Sequence, residues 1–139
     1  MSNYSDEVGG ANLFGGLSYS FVPDRFCTPN SAIYFNQGYL QVPQGIYFSG
    51  DFTVTAWILL KSYKSNSKLF DFRQRPLNDN VVLKMYQTTA IMYATVFNFT
   101  NYKASQTPPV INLNEWYFIS FVLNGTTGHI YVNGNLTFM

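Results

Sequence analysis

Apolar residues in this chain alternate with polar ones or fall into short runs that Gly, Pro, Asn and Ser separate. Nowhere do apolar residues recur at i, i+3, i+4 and i+7 without such a breaker, so no helix is predicted. The pattern predicts ten β-strands: Ser18–Val22, Ala32–Asn36, Tyr39–Val42, Phe52–Leu60, Leu69–Phe72, Val81–Tyr86, Ala90–Phe99, Trp116–Leu123, His129–Asn133 and Leu136–Phe138. Many short strands with turns between them indicate a β-sandwich, a barrel or a jelly roll.

Alternation is clearest in the segment Phe52-Thr-Val-Thr-Ala-Trp-Ile. Successive side chains of a strand point to opposite faces, so Phe52, Val54, Ala56 and Ile58 share one face. Thr53, Thr55 and Trp57 share the other face. Trp57 is therefore predicted to point away from the row that Phe52 begins.

Hairpin signals are strongest near the C-terminal end. Asn124-Gly125 follows the Trp116 strand, and Asn133-Gly134 precedes the last predicted strand. Asn-Gly supplies the two positive-φ positions of a type I′ turn, so three consecutive antiparallel strands are predicted here. Gly-rich residues 1–17 are predicted to be an irregular lead-in, and residues 18–139 a single domain.

Composition narrows the classes of function. The chain has 8 basic and 7 acidic residues and a net charge of +1, so it has no field that would attract nucleic acid. The longest apolar stretch, near Val54–Leu60, is too short to cross a bilayer, so no membrane insertion is expected. Cys27 is the single cysteine, which excludes an intrachain disulfide, and we expect a structural or incidental role for it.

Two stretches of the chain resemble laminin G-like domains of the concanavalin A-like lectin/glucanase superfamily. The first runs from Asp24 to Pro43 and continues as Gly50-Asp-Phe-Thr-Val-Thr-Ala-Trp-Ile58. The second, from Asn114 to Gly134, is similar to the family's Trp-led strand, tight hairpin and Tyr-Val-Asn-Gly turn. The chain departs from the family pattern at Cys27, where glycine is usual, and in lacking the late Gly-rich, acidic segment.

The resemblance implies an all-β fold: an antiparallel two-sheet jelly-roll sandwich, incomplete at its C-terminal end. It also implies a non-catalytic carbohydrate-binding or adhesion module of a larger extracellular protein, with a glycan or an extracellular protein as partner. The alternatives are a structural or protein-docking domain without a sugar site and, less favoured, a glycoside hydrolase.

The first residues do not form a signal peptide, so a chain complete as given would be cytoplasmic. If the chain ends at Met139, the uncharged C-terminal edge is predicted to promote self-association.

A hydrolase would need two carboxylates close together across the scissile bond. No two of the seven acids lie two or four residues apart, the spacing that would place both on one face of a strand. An enzyme is therefore not predicted. The single histidine, His129, begins a predicted strand and is expected to be solvated.

Four aromatic residues are candidates for stacking on the C–H faces of a sugar: Trp57, Tyr86, Tyr93 and Tyr102. The competing interpretation is that they pack within the core or across strands. By resemblance alone, Ca²⁺ has the candidate ligands Asp24, Asn30 and Asp51, and the favoured alternative is that these side chains cap turns. Asn-x-Ser/Thr sequons mark four candidate N-glycosylation sites, at Asn3, Asn98, Asn124 and Asn135.

Overall fold

The structure is a computed structural model in which every described regular element is a β-strand. It describes residues 5–6, 8–48, 50–65, 67–74, 79–85, 87–98, 101–125 and 127–138, without the side chains of 73–74, 79–80, 97–98, 101–103 and 138. All pairings between the strands are antiparallel, which confirms the predicted all-β antiparallel fold class. None of the described segments forms a helix long and apolar enough to cross a membrane.

The chain divides into two compact units, residues 1–47 and 48–139. The first unit is built around a two-stranded sheet of β1 (Phe14–Val22) and β2 (Ala32–Gln41). Their pairing shifts register on both sides of Leu17, so this hairpin is irregular. The predicted lead-in, residues 1–17, therefore includes the start of β1.

The second unit contains two four-stranded sheets. The first sheet has the order β10-β9-β8-β3, and the second has the order β4-β5-β6-β7. The strands are β3 (Phe52–Leu59), β4 (Lys68–Gln74), β5 (Asp79–Met85), β6 (Met92–Asn98), β7 (Asn101–Gln106), β8 (Trp116–Asn124), β9 (Thr127–Val132) and β10 (Asn135–Phe138).

One apolar core lies between these two sheets. The first sheet contributes alternate residues of β8 and β9, and the second contributes alternate residues of β5 and β6. The buried members are Val81, Leu83, Met85, Met92, Ala94, Ile111, Tyr117, Ile119, Phe121, Ile130 and Val132. The period of two in each strand thus produces the two facing apolar layers of a sandwich.

Two hydrogen bonds tie separate elements of the sandwich together. The Ser105 hydroxyl of β7 donates to the Gly128 carbonyl of β9 at 2.9 Å, and both residues are buried. Asp51 accepts the Gly125 amide at 2.6 Å, which fastens the segment before β3 to the β8–β9 turn. Each bond satisfies a backbone group that the strand ladders alone do not account for.

The β9–β10 connection has the predicted geometry. Asn133 and Gly134 have φ values of 51° and 82°, the two positive values that a type I′ turn requires. The Asn133 side chain also accepts the Phe118 amide at 2.9 Å. This turn is therefore anchored to β8 as well as joining its own two strands.

The predicted strands overlap the observed ones with bounds that differ by up to four residues, at the start of β1, and the structure departs from the predicted set in two places. Ala32–Asn36 and Tyr39–Val42 were expected as separate strands but form one strand, β2, which bends where Gln37 has a φ of 58°. The polar strand β7 was not predicted. Because β7 is an edge strand paired only with β6 among the described strands, it needs little apolar alternation of its own.

Candidate functional site

The outward surface of the first sheet is rich in aromatic side chains and has no charged residue among its described members. Pairing registers place thirteen residues there: Thr53, Thr55, Trp57, Leu59, Trp116, Phe118, Ser120, Val122, Asn124, Thr127, His129, Tyr131 and Leu136. We call this set the aromatic face. It is the candidate site because it combines exposed ring surface with hydroxyl groups on a regular scaffold.

Trp57, on β3 at the end of the sheet order, is the most exposed ring of the aromatic face. Its side chain points outward, as predicted, and 44% of the residue's surface is exposed. It lies opposite Phe118 on β8, with ring centroids 5.3 Å apart and an interplanar angle of 44°. Phe118 thus packs beside the indole, at a centroid separation within the range of interacting aromatic pairs.

A row of hydroxyl-bearing residues lies beside the Trp57–Phe118 pair. Ser120 pairs with Thr55 of β3 on one side and with Tyr131 of β9 on the other. Neighbouring strands lie about 4.8 Å apart, so this row across three strands is about 10 Å long. The aromatic pair and the hydroxyl row are separated by two residues along each strand, about 7 Å.

His129 differs from its expected environment. Its Nδ1 atom is buried and has no hydrogen-bond partner among the described residues, so the prediction of a solvated imidazole is wrong for this nitrogen. The ring lies near Tyr131, with centroids 6.4 Å apart.

The other predicted ligand residues do not lie on the aromatic face. Tyr93 is on β6 of the second sheet, opposite Lys84, whose ammonium lies 5.6 Å from the ring centroid. Tyr102 pairs with Phe97 in the same sheet, but its side chain lies outside the described set. Tyr86 lies outside the described residues. Trp57 and Tyr93 thus point to opposite sides of the sandwich.

The residues considered for calcium have other roles. Asp24 accepts the amides of Phe26 at 2.8 Å and Thr28 at 3.0 Å, and Asn30 has a φ of 56°. Desolvation raises the pKa of Asp24, but these amide bonds together with the Thr28 hydroxyl lower it below its ordinary value. Asp51 holds the Gly125 amide. These hydrogen bonds give both carboxylates a turn-capping role, which is the alternative that the sequence offered.

No three His, Cys, Asp or Glu side chains come together within the part of the chain that the structure describes. Two of the described carboxylates of the second unit, Asp51 and Glu115, are also far apart. Asp51 precedes β3 and Glu115 precedes β8, and because these strands are antiparallel the two acids lie at opposite ends. At about 3.3 Å per residue their separation is roughly 25 to 30 Å. Asp71 lies in the second sheet, in an ion pair with Lys68.

Glu115 organises the start of β8. It accepts the Tyr117 hydroxyl at 2.7 Å and the Asn112 side-chain amide at 3.2 Å. These two hydrogen bonds lower the pKa of Glu115 below its ordinary value of 4.5, and the bond from Tyr117 has the larger effect. The Asn112 amide lowers the pKa of Tyr117, but the Glu115 carboxylate and burial outweigh it, so that pKa is raised.

We expect Glu115→Gln to flatten the dependence of stability on pH in the acid range. Because the pKa of Glu115 is lower in the folded state, its stabilising contribution is complete above its unfolded value and is lost as pH falls through the folded value. Urea unfolding midpoints between about pH 6 and about pH 3 would measure this. Parallel curves for the wild type and the variant would contradict the assignment.

The sequon asparagines occupy different positions. Asn124 and Asn135 are exposed, at the end of β8 and the start of β10. Asn98 ends β6, but its side chain is outside the described set, and Asn3 lies outside the described residues. Cys27 is exposed, in a turn that its amide closes by donating to the Asp24 carbonyl at 3.0 Å.

Comparison with known proteins gives one match. Neither the curated proteins nor the solved structures contain a match to the chain. A laminin G family model, described as the concanavalin A-like lectin/glucanases superfamily, matches residues 35–138, from β2 to the end of β10. The match covers more than half of the chain and agrees with the resemblance found at the hairpin and Trp motifs. The chain therefore belongs to the concanavalin A-like lectin/glucanases superfamily, within its laminin G-like branch.

Proposed function

We propose that this domain is a non-catalytic carbohydrate-binding module and that a glycan lies on the aromatic face. The observation that carries the proposal is Trp57, a large exposed indole held on Phe118 in a surface with no charged residue among its described members. Membership of a lectin-like superfamily supports a binding function in general. The aromatic face supplies the specific surface.

The chemistry of the aromatic face suits a pyranose ring. One side of many sugars presents only C–H groups, which pack against the negative face of an aromatic ring and leave water on doing so. Trp57 presents such a ring, and its contact with Phe118 restricts the indole on one side before any ligand arrives. A restricted ring loses less conformational freedom on binding, which favours affinity.

Hydroxyl groups beside the Trp57 ring would orient the bound sugar through hydrogen bonds. Thr55, Ser120 and Tyr131 lie side by side across three strands, each with a hydroxyl that both donates and accepts hydrogen bonds. A sugar packed on Trp57 would direct its ring hydroxyls toward this row. The length of the row, about 10 Å, is comparable with that of a disaccharide.

The carboxylates support binding without hydrolysis. Retaining and inverting glycosidases need two carboxyl groups roughly 5 to 9.5 Å apart. Asp51 and Glu115 lie at opposite ends of the first sheet, and each makes hydrogen bonds that shape the fold. Among the carboxylates whose side chains the structure describes, none lies on the aromatic face.

The proposal also places the domain in a longer extracellular protein, where binding to glycans would mediate adhesion. Exposed Asn124 and Asn135 would then be accessible to glycosylation. A test is expression of the chain behind a secretion signal, followed by enzymatic removal of N-glycans and mass measurement. A mass unchanged by that treatment would contradict modification of these sites.

We expect Trp57→Ala to weaken glycan binding at least tenfold, about 1.4 kcal/mol, because it removes the stacking surface. The wild-type chain is first screened on a glycan array, and the affinity for each positive glycan is then measured by calorimetry. Binding is expected to survive chelation of divalent cations, since Asp24 and Asp51 hold backbone amides.

Tyr93→Ala is the matched control, because Tyr93 is an aromatic residue on the outer surface of the other sheet. It should leave glycan affinity unchanged. If Tyr93→Ala removes binding while Trp57→Ala does not, the site lies on the second sheet. A folded wild type that binds no glycan, yet binds an extracellular protein, would replace the proposal with the docking alternative.

A further inference from the structure

A feature of the second unit that is independent of the glycan proposal is a pair of Asn-Gly sequences on either side of β9. Asn124-Gly125 lies at the β8–β9 turn, and Asn133-Gly134 forms the β9–β10 turn. Asn-Gly is especially open to spontaneous deamidation, because glycine has no side chain to hinder the approach of its amide nitrogen to the preceding side chain. The two asparagines have different surroundings in the fold, so they should not react alike.

Deamidation joins two groups of adjacent residues. The glycine nitrogen bonds to Cγ of the asparagine, the bond from Cγ to the side-chain nitrogen breaks, and that nitrogen leaves as ammonia with the proton that the glycine amide gives up. Water then opens the cyclic imide at either carbonyl carbon, which gives aspartate or isoaspartate. Because the rate depends on how the two reacting groups are oriented, a hydrogen bond that holds the side-chain amide away from the nitrogen slows the reaction.

Asn133 is held through both its side chain and its backbone. Its side-chain oxygen accepts the Phe118 amide at 2.9 Å, and its own amide donates to the Phe118 carbonyl at 2.8 Å. To meet the Gly134 nitrogen, the side chain would have to release the Phe118 amide and leave it without that acceptor. Asn133 should therefore react slowly while β8, β9 and β10 stay paired.

Asn124 has a freer side chain. It is exposed at the end of β8, opposite Thr127, and no described residue hydrogen-bonds to its side-chain amide. The attacking nitrogen of Gly125 is restrained by its 2.6 Å hydrogen bond to Asp51. Gly125 is itself exposed, and a Cβ added to it would meet nothing within 4 Å, so neighbouring groups do not block the approach.

We propose that Asn124 is a site of spontaneous modification in the folded protein, where it is converted to aspartate and isoaspartate, while Asn133 is protected. The contacts that distinguish the two asparagines all lie within the second unit. The product places a carboxylate on the aromatic face, which has no charged residue among its described members, and next to the residue whose amide Asp51 holds. Isoaspartate also lengthens the backbone by one carbon atom where β8 ends.

The test uses the full chain, produced without glycosylation and incubated in mildly alkaline buffer at physiological temperature. Tandem mass spectrometry of its peptides locates the mass increase that accompanies replacement of an amide by a carboxyl group. In the folded protein, Asn124 is expected to react roughly tenfold or more faster than Asn133. In concentrated guanidinium chloride the two rates should converge, because a glycine follows each asparagine.

Two variants make the test specific. Asp51→Ala frees the Gly125 nitrogen, so it should raise the rate at Asn124 and leave the rate at Asn133 unchanged. Asn124→Gln is the matched control, and it should remove the fast reaction while the slow one at Asn133 persists.

Equal rates at the two asparagines in the folded protein would overturn the proposal, as would a faster rate at Asn133. So would an absence of reaction at Asn124 over a period in which the unfolded protein reacts, since the fold would then protect both sites. A rise at both positions in Asp51→Ala would show that general loosening of the sheet, and not the local contacts, sets the rates. These masses do not depend on whether a glycan binds.

Discussion

Replacing Phe121 by alanine is expected to lower the free energy of unfolding of the second unit by about 3 to 5 kcal/mol. Phe121 is only 1% exposed and lies in the core between the two sheets. Its ring packs edge-on against Phe52, with centroids 5.9 Å apart. Truncation would remove the transfer free energy of the ring and leave a cavity that the surrounding strands close only in part.

The site around Phe121 has little freedom to collapse. A Cβ added to Gly128 would lie 3.1 Å from the Phe121 ring and 3.2 Å from the Ser105 hydroxyl, so the backbone of β9 already sits directly against the ring. The Ser105–Gly128 hydrogen bond fixes β9 at this distance from β7. A void left by Phe121 would therefore persist, which places the expected loss at the upper part of the range.

Chemical denaturation followed by tryptophan fluorescence would measure the loss. The two tryptophans, Trp57 and Trp116, both belong to the second unit and report its unfolding. Phe26→Ala is the matched control, since it removes the same ring from a residue that is 69% exposed in the first unit. This substitution should leave the midpoint of the unfolding transition unchanged. A loss below about 1 kcal/mol for Phe121→Ala would contradict its position in the core.

Local signals in the sequence predicted much of this fold. The alternation from Phe52 to Ile58 gave the inner and outer faces of β3, because a strand repeats every two residues whatever its neighbours. The Asn133-Gly134 turn was predicted for a similar reason: positive φ at two consecutive residues is a backbone requirement that few residue types meet. These features depend on a few adjacent residues.

Features that depend on distant residues were not predicted. β7 is polar and becomes a strand through its pairing with β6 and through the buried Ser105 that reaches Gly128. The pairing of Trp57 with Phe118 joins segments about sixty residues apart in sequence, and no local signal sets that register. The sequence could therefore identify Trp57 as a candidate ligand residue. It could not identify Phe118, which packs against Trp57, or the neighbouring row of hydroxyl-bearing residues.

The same limit explains why the predicted ligand residues separate. Periodicity showed that Trp57 and Tyr93 each lie on a strand, but strand order decides which sheet holds each one. β3 joins β8, and β6 joins β5 and β7, so the two rings end on opposite sides of the core. A candidate site drawn from exposed aromatics alone thus combines two surfaces that only the topology can distinguish.

Gly38→Ala is expected to disrupt the β1–β2 hairpin while leaving the unfolding of the second unit unchanged. A Cβ at position 38 would overlap the carbonyl oxygens of Leu17 and Ser18. Both atoms belong to the backbone of β1 and cannot rotate away. The strands would have to separate at the point where their register already shifts, between Leu17 and Tyr19.

A two-stranded hairpin has little stability to lose, so even a modest steric cost should open it. Hydrogen exchange of the β1 amides, measured by mass spectrometry, should therefore show loss of protection in Gly38→Ala, while protection in β8 persists. Gly45→Ala is the matched control, because its added Cβ would make only ordinary contact, at 3.4 Å from the Tyr47 ring. Equal protection of β1 in Gly38→Ala and the wild type would show that β1 and β2 do not approach each other this closely. Loss of protection in both glycine variants would instead show that the hairpin responds to any added side chain, and the specific role of Gly38 would be rejected.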